Sequence, residues 1–182
     1  MRKLIASINM TLDGFCDHEA GIVDEELLQN FNELFLEIDT LIFGRVTYQL
    51  MENSWPPIVE HPTGIKSTDE FAVLIDNVFK VVFSHTLKTV DWKNARLAHD
   101  DIREEVIRLK QQPGKNLLVG SPSIIDTLMQ QGLIDEYRLF LHPIVLGKGL
   151  PLFKDISERI NLRLIKTKIL GSGVIILYYE PV

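Results

Sequence analysis

Asn116-Leu117-Leu118-Val119-Gly120-Ser121-Pro122 decides how this chain folds. Its first four residues read as a strand buried on both faces. Gly120 breaks that strand, Ser121 is an N-cap residue, and Pro122 suits the first helical position, where a missing N–H costs nothing. Gly132 closes the helix at Gln131. The segment is therefore a strand-to-helix turn, the repeating joint of a parallel α/β sheet.

The same alternation extends toward the N-terminus. Leu4 to Met10 is apolar enough for a buried strand, ended by the turn residues Thr11-Leu12-Asp13-Gly14. From Asp24, a potential cap, Leu27, Leu28, Phe31, Leu34, Phe35 and Ile38 recur at helical spacing. Thr40 to Phe43 is a short strand broken by Gly44-Arg45, with a helix starting at Val46 and stopped by Trp55-Pro56-Pro57. A loop is expected up to Gly64, then a short helix through Asp76 opened by the capping box Ser67-Thr68-Asp69-Glu70. Lys80 to Phe83 and Arg96 to Ala98 read as strands, and Ile102 to Gln112 as an amphipathic helix stopped by Pro113-Gly114.

Toward the C-terminus, Glu136 to Val145 alternates and runs apolar into Gly147-Lys148-Gly149. Arg163 to Leu170 and Val174 to Glu180 are strands joined by Gly171-Ser172-Gly173, a hairpin signal. The expected fold is one α/β domain spanning 1–182: a mixed, mainly parallel sheet with helices on both faces and a terminal antiparallel hairpin. Ligands of such sheets sit beyond the carboxyl ends of the strands.

Composition narrows the partners. Nineteen Lys and Arg against 25 Asp and Glu give a net charge of −6 over 182 residues, without the basic surplus that nucleic acid or an anionic membrane requires. A lone Cys16 makes no internal disulfide and no multi-thiolate metal site, so no metal is expected. The longest uncharged run, 169–179, is too short for a bilayer, and the N-terminus lacks an export pattern, so a cytoplasmic location is expected.

Three strand-to-helix turns carry small residues and donors: Gly44-Arg45-Val46-Thr47, Ser84-His85-Thr86 and Gly120-Ser121-Pro122-Ser123. Glycine lets a ligand approach the backbone, and a helix N-terminus offers unpaired N–H groups to a pyrophosphate. Arg45 adds a planar cation. Such residues also serve as plain turn chemistry, and no G-x-G-x-x-G fingerprint follows the first strand. Among the five histidines, His85 at a strand end and His142 before Pro143 are candidates for a pocket, His142 equally for a structural hydrogen bond. Asp13 suits proton relay or a turn, Asp24 a relay or a cap, and Trp55 a stacking platform or a core lid. Neither a G-x-S-x-G elbow nor an activated Cys16 is evident.

Taken together, Thr11-Leu12-Asp13-Gly14, Phe43-Gly44-Arg45-Val46-Thr47-Tyr48, Val81 to Leu87, Val119-Gly120-Ser121, Gly132-Leu133-Ile134-Asp135-Glu136 and Pro143 to Gly149 with Leu152-Phe153 occur in an order that resembles the dihydrofolate reductase-like family. Within it, the reductase domain of the bacterial riboflavin-synthesis deaminase-reductase is the nearest pattern. The resemblance runs from about Lys3 to the C-terminus. It implies a dihydrofolate reductase-like three-layer fold, an NADPH site, a homodimer and hydride transfer to a pyrimidine- or pterin-like substrate. The activity implied is closest to 5-amino-6-(5-phosphoribosylamino)uracil reductase.

The resemblance also assigns residues. Ser7 and Gly14 fall near the nicotinamide, and Gly44, Arg45 and Thr47 at the phosphates. Ser84 and His85 fall at the adenosine ribose and its 2′-phosphate, and Gly120, Ser121 and Ile124 near the pyrophosphate or nicotinamide. Asp13 matches the Asp-Gly of riboflavin-type reductases and is the catalytic candidate; Trp55 and His142 are substrate-contact candidates from their own positions, not from the resemblance. One position departs: the folate-type acid, four residues before a phenylalanine, is replaced by Leu27 ahead of Phe31. That leaves two alternatives, a nucleotide-binding protein without catalysis and a reductase of small carbonyl or quinone compounds.

Overall fold

The computed structural model describes every residue of the chain except Asp155. The apolar segments pair into one sheet of eight strands in the order β4-β3-β2-β5-β1-β6-β8-β7. These are β1 (Leu4–Thr11), β2 (Ile38–Gly44), β3 (Phe79–Phe83), β4 (Ala95–Leu97), β5 (Asn116–Val119), β6 (Glu136–His142), β7 (Leu162–Ile169) and β8 (Ile175–Pro181). From β4 to β6 all neighbours run parallel, whereas β8 is antiparallel to both β6 and β7. The sheet is thus mainly parallel with a terminal antiparallel hairpin.

Parallel neighbours need crossovers. Between β3 and β4 the segment 84–94 crosses without a helix, so Ser84-His85-Thr86 is not the strand-to-helix turn expected; the other crossovers carry helices on both faces. These are α1 (Glu25–Leu36), α2 (Arg45–Ser54), α3 (Pro56–Glu60), α4 (Lys66–Asn77), α5 (Ile102–Gln111) and α6 (Pro122–Gln130). On one face Ile5, Ile42's neighbours Leu41 and Phe43, and Leu118 pack against Leu34, Phe35, Phe71 and Ile75 of α1 and α4. On the other, Leu4, Ala6, Ile42 and Val119 pack against Val106 and Leu109 of α5 and Ile125 and Leu128 of α6. The period-2 alternation of each strand sends successive side chains to opposite helical layers, which is why these strands are apolar throughout. Asp24 caps α1 as its position predicts, accepting the Leu27 N–H at 2.8 Å.

Three local expectations change. Trp55-Pro56-Pro57 does not open a loop; the prolines occupy the first turn of α3, where proline is tolerated. Ser67 is not a cap, because α4 begins one residue earlier at Lys66 with Ile65 before it. The Asp69 carboxylate instead reaches back to the Thr63 and Gly64 N–H groups at 2.8 and 3.0 Å. The strand from Glu136 ends at His142, since Pro143 has no N–H to extend the ladder.

Lys80, fully buried in β3, anchors that strand to α4. Its ammonium donates to the carbonyls of Asp76, Val78 and Lys93 at 3.0, 3.0 and 3.2 Å and lies 4.2 Å from the Trp92 ring. Burial pushes its pKa down to about 8.

Candidate active site

The parallel topology gathers the carboxyl ends of β3, β2, β5, β1 and β6 at one edge. There, β2 hands over to α2 at Gly44 and β5 to α6 at Ser121. Ser121 occupies the N-cap position but does not cap its own helix. Its buried hydroxyl accepts the Gly44 N–H at 2.9 Å, so one N-cap residue holds the other. Neither helix has a side-chain cap, and the first-turn N–H groups of α2 and α6 therefore stand side by side without side-chain partners. Together they form a region of positive potential.

Glycine at position 44 permits this close approach. A Cβ there would lie 3.2 Å from Ile124 Cγ1, so a larger residue would crowd that side chain at the start of α6. Arg45 is exposed on the first turn of α2, tethered only to Gln49 at 3.2 Å, and its guanidinium is available to an anion. Ser84 and His85 lie one strand further out, after β3. The Ser84 hydroxyl accepts the N–H groups of Thr86 and Leu87 at 3.1 and 2.9 Å, which shapes the turn and leaves His85 exposed.

Beside the paired helix ends opens a cleft of about 350 Å³. Ser7 and Asn9 of β1 and Gly120 after β5 line it, with Leu27 and Phe31 of α1 and Thr47 and Met51 of α2 opposite. Trp55 also lines the cleft, its ring edge-on to Phe71 at 4.5 Å. Ser7 is 5% exposed, and its hydroxyl has no hydrogen-bond partner within the protein. A buried hydroxyl without a partner is costly, so this atom is suited to a polar ligand group. Gly120 packs its Cα against the β1 backbone; a Cβ there would sit 3.4 Å from the Ser7 carbonyl oxygen.

His142, 1% exposed, lies beneath this floor and does not line the cleft. Its Nδ1 accepts the Ile22 N–H at 3.0 Å, which requires that nitrogen to be unprotonated. Nε2 therefore carries the hydrogen and donates to Asn9 Oδ1 at 3.0 Å. Burial lowers the His142 pKa, and nearby Asp24 opposes that only partly. Its position in the structure is that of a support for Asn9.

Asp13 and Gly14 lie outside the cleft lining as well. The exposed Asp13 carboxylate accepts from Thr11 Oγ1 at 2.6 Å and from the N–H groups of Leu146 and Gly147 at 3.1 and 2.7 Å. These bonds, the Thr11 hydroxyl first, hold its pKa down at about 2, so it is an acceptor and not a proton donor near neutrality. Gly14, at φ +87°, turns the chain so that its carbonyl accepts the Leu152 N–H at 3.0 Å. Asp17 adds a bond from Leu150 N–H at 2.7 Å. The turn after β1 thus straps the segment 146–152. Cys16 is buried under that strap, and burial pushes its thiol up to about 11, away from nucleophilic use.

The structure therefore brings Gly44, Arg45, Thr47, Gly120, Ser121 and Ile124 together at the helix ends and Ser7 and Trp55 at the cleft, while Asp13, Gly14 and His142 support it from outside. Sequence reading missed Asn9, Phe31 and Met51. A signal for Asn9 was present: Ser7 and Asn9 are two apart in an apolar central strand, so both face the same side, and a polar pair there needs a reason.

A family model described as the RibD C-terminal domain matches residues 2–176. The chain belongs to this family. The uncharacterized protein YyaP of Bacillus subtilis (strain 168) is 37% identical over 183 residues, covering 98% of this chain and 95% of its own. A diaminohydroxyphosphoribosylaminopyrimidine deaminase/5-amino-6-(5-phosphoribosylamino)uracil reductase from Thermotoga maritima superposes with a TM-score of 0.68 at 18% identity, over all of this chain and 57% of that one. Dihydrofolate reductase from Enterococcus faecalis, complexed with NADP(H) and RAB-propyl, superposes with a TM-score of 0.66 at 14% identity over 98% and 96% of the two chains. These likenesses establish the dihydrofolate reductase-like fold of this RibD C-terminal domain. Among its described residues no helix is long and apolar enough to cross a membrane.

Proposed function

We propose that this protein is an NADPH-dependent reductase that transfers hydride to a pyrimidine- or pterin-like heterocycle, of the type represented by 5-amino-6-(5-phosphoribosylamino)uracil reductase. The observation that carries the proposal is the pair of side-chain-uncapped helix N-termini, joined by the Ser121–Gly44 bond, beside a cleft containing the unpartnered Ser7 hydroxyl. Both features fit a dinucleotide. The pyrophosphate would meet the N–H groups of α2 and α6 and the Arg45 guanidinium. The nicotinamide would enter at Gly120, where only hydrogen occupies the Cα, with its carboxamide in reach of Ser7.

When bound, NADPH would supply the hydride for a two-electron reduction of an electrophilic carbon, the accompanying proton coming from solvent at the cleft mouth and NADP⁺ being left. The chain's own residues orient the two partners and exclude water. Leu27, Phe31 and Met51 provide a dry wall, and Trp55 a flat surface against which a heterocycle can stack.

Titration with NADPH and NADH, followed by melting temperature and Trp fluorescence, tests the reading. NADPH should stabilise the protein, and Arg45→Ala should weaken NADPH and NADH alike, roughly tenfold each, because the pyrophosphate it meets is common to both; a loss confined to NADPH would move Arg45 to the 2′-phosphate. No effect of either cofactor at millimolar concentration would sink the proposal. A second reading, nucleotide binding without turnover, draws on Leu27, 1% exposed in the cleft wall where folate enzymes place an acid. NADPH oxidation with any pterin or ribosylated pyrimidine would exclude it.

A further inference from the structure

We infer that the cleft takes an uncharged, planar substrate that carries no phosphate group. This rests on reading the cleft as the place where substrate meets nicotinamide. Its described lining contains neither lysine nor arginine. The polar groups it offers are neutral, chiefly the Ser7 hydroxyl, the Asn9 amide and the Thr47 hydroxyl, and its rim adds two carboxylates, Asp17 and Glu19. The remaining surface is mostly aromatic and aliphatic.

A phosphate monoester entering this space would lose its water without meeting a cation, and would approach two like charges while doing so. The single imidazole on the lining, His18, is exposed and sits in sequence between those carboxylates. Cations elsewhere in the chain lie outside that lining. Lys80 is sealed against three carbonyls, Arg138 is held by Glu37 and Glu136, and Arg45 stands outside the lining at the helix ends. A flat neutral ring loses nothing comparable: its faces gain Phe31 and Trp55, and its edge atoms can pair with Asn9 and Thr47, Ser7 being left to the nicotinamide. The protein therefore separates two functions in space, an anion site at the helix ends for the cofactor and a cation-free cleft for the substrate. Within the described lining no lysine or arginine faces a group such as the phosphoribosyl in the Thermotoga maritima enzyme's name.

The test is isothermal titration of the full chain, with and without saturating NADPH, using 5-amino-6-ribosylaminouracil and its 5′-phosphate. The riboside should bind at least about tenfold more tightly than the phosphate, and Glu19→Lys, a rim substitution, should narrow that ratio severalfold. Equal affinities, a preference for the phosphate, failure of both to bind at millimolar concentration, or an unchanged ratio in the variant would each overturn the inference. Loss of NADPH binding with the riboside preference intact would instead remove the reductase reading and leave the charge preference of the cleft standing.

Discussion

The Ser121 hydroxyl accepts the Gly44 N–H at 2.9 Å, and by doing so leaves its own helix uncapped. An N-cap residue ordinarily satisfies the N–H groups of its own first turn, and here that capacity is spent across the sheet. The bond sets the spacing between β2 and β5 at their carboxyl ends, where two helix termini meet.

Ser121→Ala should therefore act on stability and on cofactor affinity together. It leaves the buried Gly44 N–H without a partner, at a cost of about 1–3 kcal/mol, and loosens the alignment of α2 with α6. Urea unfolding and NADPH titration of the same variant check this. Unchanged stability with normal NADPH affinity would show that the bond is dispensable.

Asp13→Asn distinguishes a brace from a catalytic group. The wild-type carboxylate accepts from three donors across to Leu146 and Gly147, so the variant should become more sensitive to proteolysis within 143–154. Its kcat should fall by no more than about twofold, whereas loss of a proton-transferring group would cost roughly 100-fold or more. The folded-state pKa of about 2 lies below the ordinary 3.8, so the brace is fully present above 3.8 and lost as pH falls through 2.

His142 should make the fold acid-sensitive at a milder pH. Its folded-state pKa lies below the ordinary 6.5, so the unfolded chain takes up the proton first. The stabilisation is complete above about 6.5 and is lost as pH falls through the folded-state value. Protonation also removes the Nδ1 acceptor of the Ile22 N–H. Urea midpoints at pH 7.5 and 5.5 should differ more in the wild type than in His142→Gln; identical differences would place the sensitive group elsewhere.

We also propose that the chain forms a homodimer through the hairpin. β7 is an edge strand, and Leu164, Ile165 and Ile169 on it are 49%, 48% and 72% exposed. An exposed apolar edge is a pairing hazard unless something covers it. Light scattering should give twice the chain mass, reduced to one in an Ile165→Lys, Ile169→Lys variant. A monomeric wild type would refute the proposal.

The sequence by itself determined the order of strands and helices, the parallel sheet and the hairpin. Each of those follows from local periodicity and turn chemistry: Pro122 starts a helix wherever the strand before it pairs, and Gly171-Ser172-Gly173 reverses the chain by backbone conformation alone. Arg45, Gly44 and Ser121 were legible as anion-site candidates for the same reason, since a strand-to-helix turn has its donors built in.

Tertiary structure alone decided what each side chain was used for. Ser121 reads as a cap of α6 and is spent on Gly44, 77 residues away in sequence. Asp13, which the sequence leaves open between proton relay and turn, braces a loop more than 130 residues later, and His142, open between a pocket and a structural hydrogen bond, bonds Asn9. A hydrogen-bonding side chain takes the partner that folding brings within about 3 Å, and that partner is set by the crossover connections of the whole sheet, not by neighbours in the chain. The cation-free lining of the cleft has the same origin: it is assembled from β1, the loop after it, α1, β2, α2, α4 and β5, so the absence of Lys and Arg shows only once these segments meet.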